Sequence, residues 1–357
     1  MRRERWIAPR DVVGLACVCL LALTEPSPLR PLRRVAARFL GAAAFRFSRR
    51  KRRRIEANLK ACFGRAMSTA RRRRIARTVF RETWREILDA PRTGPAPVVI
   101  RGLENVRWTL DAGRGAILWE SHGLGRRMLA KRVLGEHGVR IFQVHDVHHL
   151  GGVGGDERVA SWIGRRLLRP FFDRRERRSV EEILHLPDGG SLVYARELVA
   201  RLRGNRLVCV AGDGPLGHRR VEIEFLGGWA SFATGTISLS RLTGSPLLPL
   251  FCLELPSGDV ELTVEAPLAL EPGRGRDGEL SVARRYARLL EARILGAPGQ
   301  YRSWHTVQTG SGGAYPPPPS SLDDLPASRA KKRSATRAGS PESVAGSDPM
   351  LSQSPGR

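Results

Sequence analysis

The sequence predicts an α/β chain built on a mostly parallel central sheet with helices on its flanks, and three observations carry that expectation. From residue 97 onward, short apolar runs alternate with stretches whose apolar residues recur at helical spacing. Two of the runs, Ala116–Glu120 and Leu207–Ala211, end in polar turns bearing glycine, as strands of an open α/β sheet do where they hand over to helices. The 357 residues are 41% hydrophobic, enough for a substantial core; at ~100–200 residues per domain they predict two domains or one larger domain with appendages.

Taken in order, the strands expected are 98–101, 116–120, 139–144, 207–211, 221–225, 247–254 and 260–264. Helices are expected over 104–112 (ending at Gly113), 129–136, 157–172, 179–186, 196–203 and 280–295. Segment 207–227 reads as a hairpin or meander, and Ala233–Leu239 as a glycine turn into a helix. Aromatic residues make up only 6%, so the core rests on Leu, Val, Ile and Ala. From about Gly310 the chain is rich in Gly, Pro and Ser and poor in large apolar residues, the composition of a disordered tail.

Charge is unevenly spread. The chain carries a formal +26, of which residues 1–80 hold +18 and the rest +8. A basic front end on a near-ordinary body predicts docking onto something negative, either an anionic membrane or nucleic acid. The apolar run Val12–Leu23 is too short for the ~20 residues of a membrane span. It reads as an uncleaved element dipping into a membrane, with a core helix as the alternative. In 29–47, Leu32, Val35, Phe39, Leu40 and Ala43 recur at helical spacing with Arg33, Arg34 and Arg38 between them, the pattern of a helix lying in an anionic interface. The basic run 49–54 has no interleaved aromatic platform and no nucleic-acid motif follows it, so no nucleic-acid partner is expected. Residues 50–92 read as two helices, the second capped by Ser68. The domain reading is therefore a membrane-associating segment (1–48), a helical lead-in (49–96), an α/β domain (97–308) and the tail (309–357).

Cys17, Cys19, Cys62, Cys209 and Cys252 are odd in number and show no C-x-x-C spacing, so they read as buried apolar residues in a reducing compartment. His145-Asp146-Val147-His148-His149 has ligand-type residues but no supporting cysteine or second acidic motif. No metal is expected there, and these side chains line a cleft or face water. The basic run 165–178 is a solvated face or a docking patch for an acidic carrier protein or phosphorylated head groups.

Candidate chemistry centres on His122, at the carboxyl end of the strand 116–120, where ligands of open sheets bind. Gly123 and Gly125 permit close backbone approach to an anion or oxyanion. Asp213 ends a second strand, as a site acid or a turn former beside Gly212 and Gly214. Arg126, Arg127 and Arg219 are the arginines nearest this pocket.

The stretches Arg54-Ile55-Glu56-Ala57-Asn58-Leu59-Lys60-Ala61-Cys62-Phe63, Gly102-Leu103-Glu104, Gly113–Leu118 leading to His122, Leu202-Arg203-Gly204 leading to Asp213, Phe225-Leu226-Gly227, Thr234-Gly235, Thr243–Pro246, Gln300-Tyr301 and Trp304-His305 stand together in an order that resembles the bacterial lipid A biosynthesis lauroyl/myristoyl acyltransferases. The resemblance covers about residues 30–306. It implies transfer of a fatty acyl chain from acyl-carrier protein or acyl-CoA to a hydroxyl of a membrane glycolipid such as a lipid A precursor, with no cofactor beyond the co-substrate. It further implies a place on the cytoplasmic face of a bacterial inner membrane, His122 as general base, and Gly227, Thr234 and Gly235 near the substrate. The family pattern is H-x4-D/E, and this chain has Arg127 where the acid stands. A guanidinium cannot accept the imidazole proton and depresses the His pKa. Glu120, on the same strand face as His122 if the strand persists, is the expected substitute, with Asp146 and Asp213 as more distant candidates; a catalytically silent lipid-binding homologue and a basic nucleic-acid-binding protein are the alternatives.

Overall fold

A computed structural model describes residues 6–7, 9–25, 27–90, 97–146, 161–186, 192–213, 219–270 and 276–309. The tail, residues 147–149 of the His145 run and the start of the expected helix 157–172 lie outside the described residues.

The strands are β1 (Val98–Arg101), β2 (Ala116–Glu120), β3 (Ile141–Asp146), β4 (Glu182–Leu186), β5 (Leu207–Ala211), β6 (Arg220–Phe225), β7 (Gly228–Ala233), β8 (Leu247–Glu254), β9 (Val260–Val264) and β10 (Gln308–Thr309). Seven of them form one sheet in the order β1-β9-β8-β2-β5-β3-β4. Neighbours from β8 to β4 run parallel, and the antiparallel β8–β9 pairing turns the β9–β1 edge the other way. The expected mostly parallel sheet is the one found. Alternation along β2 divides its side chains between two cores. Ile117 and Trp119 face a core built with α8 (Leu192–Arg203), α9 (Gly235–Thr243) and α10 (Arg276–Gly296), whereas Ala116 and Leu118 face α5 (Leu103–Asp111) and α6 (Arg127–Glu136). Every residue of β2 and β8 is buried, as strands covered by helices on both faces must be.

Two element assignments change. Residues 182–186, expected as helix, form the edge strand β4 paired in register with β3; Val180, Ile183 and Leu184 are buried, and the polar residues among them leave the segment ambiguous to periodicity. The hairpin anticipated in 207–227 is displaced. β5 belongs to the main sheet, and the hairpin is β6–β7, closed by Leu226 (φ 53°) and Gly227 (φ 74°) and joined by β10 in a second sheet.

The front end is helical: α1 (Pro9–Leu23), α2 (Arg30–Phe47), α3 (Arg49–Phe63) and α4 (Thr69–Ile87), the last capped as expected by the Ser68 hydroxyl, which accepts from the Arg71 amide at 3.2 Å. α1 packs Cys17 and Leu21 into a small core with Leu168 and with Phe172 of α7 (Arg169–Glu176), so part of its apolar surface is spent inside the protein. Among the described residues no helix is long and apolar enough to cross a membrane. α2 packs on α4 through Ala37, Gly41 and Phe45; a Cβ on Gly41 would lie 2.8 Å from the Arg81 Cα, so the two backbones meet there. Of the apolar stripe named from the sequence, Leu32, Val35, Phe39 and Ala43 are exposed, Phe39 by 72%, while Leu40 packs against the small α1 core; Phe47, outside that stripe, is exposed by 79%.

Candidate active site

β2 sits at the centre of the sheet between β8 and β5, and its carboxyl end places the His122 loop beside Asp213. The Gly212 amide donates to the Glu120 carbonyl at 2.9 Å, carrying the pairing one residue past β5. Asp213 then clamps the loop: Oδ2 accepts from the Ser121 hydroxyl at 2.6 Å and Oδ1 from the His122 main-chain N–H. Burial raises the Asp213 pKa, against the pull of these two hydrogen bonds. Two strand ends read separately in the sequence thus meet, but Asp213 holds the backbone of His122, not its ring.

The segment around Arg302 completes the loop from the other side. The Arg302 amide donates to the Gly123 carbonyl at 2.7 Å, and the Arg302 guanidinium donates to the carbonyls of Gly125 and His122. A Cβ on Gly123 would lie 2.3 Å from the Ser303 Oγ. One on Gly125 (φ +65°) would lie 2.0 Å from the Cys252 carbonyl oxygen. The Gly123 N–H donates to Ser121 Oγ (3.3 Å) and the Gly125 N–H to the Gln300 carbonyl (3.2 Å). These glycines are required by close packing, and their amides are engaged, so they do not form the anion-facing nest expected of them.

His122 is exposed on the wall of a cavity of about 480 Å³, within the usual range for small-molecule sites. Partial desolvation by the surrounding protein, reinforced by the charges of Arg127 and Arg302, pulls its pKa down to about 3, so the imidazole is neutral at physiological pH. Among the described residues no carboxylate hydrogen-bonds this ring. Glu120, the expected substitute acid, follows the strand alternation onto the α6 side. There it pairs with Arg127 and lies 3.6 Å from Lys131 Nζ and 3.3 Å from Gln143 Nε2. Burial alone would raise the Glu120 pKa, but Arg127 and Lys131 outweigh it and hold it at about 2. Lys131 also meets Glu176 at 3.1 Å, and Glu176 lies 2.9 Å from His145 Nε2. A chain of polar contacts, Arg127–Glu120–Lys131–Glu176–His145, therefore runs along the cavity, with all but Glu120 lining it.

The other expected residues are placed differently. Arg126 is buried, and its guanidinium meets Glu254 (3.1 Å), Glu86 (3.3 Å) and Asp89 (3.4 Å), a network shared with Arg85, which braces the end of β8. Arg219 pairs with Glu279 at 3.6 Å, Gly227 turns the β6–β7 hairpin and Thr234 caps α9 ahead of Gly235; none of these lines the cavity. Sequence reasoning missed Lys131 and Glu176, and Arg302 most of all. Lys131 was legible in principle, one helical turn beyond Arg127. Arg302 carried no local signal, being about 180 residues away along the chain.

The cavity wall is largely ionic, with Ile87, Met128 and Phe172 among its few apolar members. A neutral imidazole with a free nitrogen, facing a cationic cavity, can take a proton from a hydroxyl whose substrate carries negative charge.

The sequence matches the family described as bacterial lipid A biosynthesis acyltransferase over residues 5–144 and 165–306. Two phosphatidylinositol mannoside acyltransferases of Mycobacterium tuberculosis, from strains CDC 1551 / Oshkosh and ATCC 25618 / H37Rv, are each 28% identical over 203 residues, which are 51% of this chain and 59% of theirs. The match thus spans less than two thirds of the length of these curated relatives. Among solved structures, the 1-acyl-sn-glycerophosphate (LPA) acyltransferase PlsC from Thermotoga maritima aligns with a TM-score of 0.32 and 16% identity, over 80% of this chain and 96% of that one, a likeness too slight to build on. On the family match, which takes in well over half of its residues, the chain belongs to the bacterial lipid A biosynthesis acyltransferases.

Proposed function

We propose that the protein transfers a fatty acyl chain from a thioester, acyl-carrier protein or acyl-CoA, to a hydroxyl of a membrane glycolipid of the kind a lipid A precursor represents. The observation that carries this reading is the neutral His122 ring, with no carboxylate bonded to it among the described residues, exposed in the cavity at the end of the central strand. His122 takes the acceptor's hydroxyl proton as its oxygen attacks the thioester carbonyl. The C–S bond breaks as the ester C–O bond forms, and the imidazolium returns the proton to the departing thiolate. No enzyme nucleophile, metal or further cofactor enters the scheme. The family supports acyl transfer, and the relatives' name supports an acceptor in which sugar and lipid are joined.

The exposed apolar residues Leu32, Val35, Phe39 and Phe47, on a strongly basic front end, support docking to the cytoplasmic face of an inner membrane rich in anionic lipid. On this reading nucleic acid is not a partner. His122→Ala tests the chemistry: acyl transfer to membrane lipid falls by about 10²–10⁴, the share of a general base, while the circular dichroism spectrum is retained. Undiminished transfer would overturn the assignment.

A second reading has one observation in its favour: no carboxylate among the described residues reaches the His122 ring, leaving the imidazolium unsupported by the protein. On that reading the chain binds lipid without turnover, and the wild-type protein is inactive with both donor types while still retaining glycolipid.

A further inference from the structure

The cavity's cations outnumber its carboxylates, seven Lys and Arg side chains against four Asp and Glu. Most are already matched. Arg127 and Lys131 share Glu120 and Glu176, Arg132 meets Asp89 at 2.8 Å, Arg175 meets Glu25 and Asp89 at 3.4 Å each, and Arg178 pairs with Glu25. Two are not. Lys51, on the first turn of α3, has no carboxylate within ion-pair distance among the described residues, and its ammonium sits over the Phe80 ring at 5.6 Å. Arg302 forms no ion pair with a carboxylate among the described residues: its guanidinium donates to the backbone carbonyls of Gly125 and His122, and Glu86 attracts it only from beyond ion-pair distance. Lys51 and Arg302 line the same cavity, as do Ser303 and His305. Burial lowers the pKa of both cations, and the charge of Arg302 lowers that of Lys51 further.

Uncompensated cations on a cavity wall are costly unless an anion completes them, and phosphoester oxygens match their donors. We propose that Lys51 and Arg302, with Arg127 alongside, form a receptor for a phosphoester of the acceptor lipid, and that this phosphoester provides the negative charge which the H-x4-D/E acid would have provided to His122. The substrate then completes its own catalytic site. This deepens, and rests on, the acyltransferase reading.

The groups facing His122 make the need plain. Glu120 from β2 attracts the imidazolium, but it is itself paired with Arg127 and Lys131. Arg127 from α6, Arg302 from the segment after α10 and His145 from β3 oppose protonation, and Asp213 engages only the main-chain N–H of His122. An anionic phosphoester seated between Arg302 and Arg127 reverses that balance. In the free protein the ring stays neutral far into the acid range; with the phosphoester bound, the imidazolium formed during proton transfer gains a counter-charge.

The test uses the full chain and does not depend on turnover. Ring signals of isotope-labelled histidine, with His122 assigned from H122Q, are followed against pH with and without inorganic phosphate. Phosphate is expected to raise the His122 midpoint by at least about one pH unit. Lys51→Gln is expected to weaken phosphate binding about tenfold and Lys51→Arg to restore it, as befits loss and return of one charge-assisted contact. In turnover, K51Q raises KM for the phosphorylated acceptor about tenfold, leaves KM for the acyl donor unchanged, and has no effect on KM for the dephosphorylated acceptor. A His122 midpoint that saturating phosphate does not move, equal phosphate affinity in K51Q, or an effect of K51Q on the donor's KM instead of the acceptor's overturns the proposal. A protein that binds phosphate and shifts His122 but transfers no acyl chain would instead refute the acyltransferase reading and leave the receptor standing.

Discussion

Replacing Lys131 with methionine gives the sharpest reading of the chain of contacts along the cavity. Lys131 is 1% exposed, with Nζ 3.1 Å from Glu176 and 3.6 Å from Glu120. With Arg127 it balances two buried carboxylates. Methionine fills much of the same space but leaves those carboxylates facing one guanidinium. Breaking a buried pair from one side costs about 3–5 kcal/mol. Arg127 is the larger of the two influences that hold Glu120 at about 2, so it keeps part of the compensation when Lys131 is lost. Urea denaturation at pH 7 should show a loss in that range, with a fall in Tm on the order of 10 °C.

The pH dependence carries a definite sign. In the wild type both carboxyl groups are depressed below their usual value, so their contribution is complete above about 4.5 and fades as pH falls toward about 2. In Lys131→Met a carboxyl takes up a proton in the folded state, so the gap between variant and wild type is widest at pH 7 and narrows below about pH 4.5. Lys131→Met/Glu176→Gln should recover part of the loss. A loss under about 1 kcal/mol at pH 7, or a gap that widens on acidification, would refute the view that this chain of contacts is held by mutual compensation.

Gly125→Ala should cost at least about 2 kcal/mol in thermal melts, since its Cβ would lie 2.0 Å from the Cys252 carbonyl at a left-handed φ. Gly113→Ala, also left-handed but with open space around it, should cost only about 1 kcal/mol; equal losses would show that crowding by Cys252 is irrelevant. Phe39→Asp combined with Phe47→Asp should abolish co-flotation with vesicles containing phosphatidylglycerol, because each buried Phe contributes about 1.5–3 kcal/mol. Unchanged flotation would place the membrane contact elsewhere.

Both the architecture and its central strand were legible in the residues. Two rules suffice for β2: a short apolar run that ends in a polar glycine turn is a buried parallel strand, and its carboxyl end is where ligands bind. His122 follows from those rules alone. The strand β4 was not legible, because Glu182–Leu186 mixes polar and apolar residues and becomes a strand only through the edge that β3 offers it. The arginines show the same division. Arg126 and Arg127 are neighbours in the sequence, yet one is locked into the Glu86–Asp89–Glu254 network behind the loop and the other faces the cavity.

On its own the sequence determined the class of fold, the position of the candidate base, the absence of the customary acid and the presence of a basic, partly apolar front end. Each of these is a matter of local pattern, of which residue types stand at which period along a few turns or pleats. The tertiary structure alone decided where the charges go: that Glu120 is committed to Arg127 and Lys131, that Asp213 grips the backbone of His122, and that Lys51 and Arg302 line one cavity with no ion-pair partner among the described residues. Ion pairing depends on distances of a few ångströms between residues far apart in the chain, and those distances exist only once the sheet has brought its strand ends together.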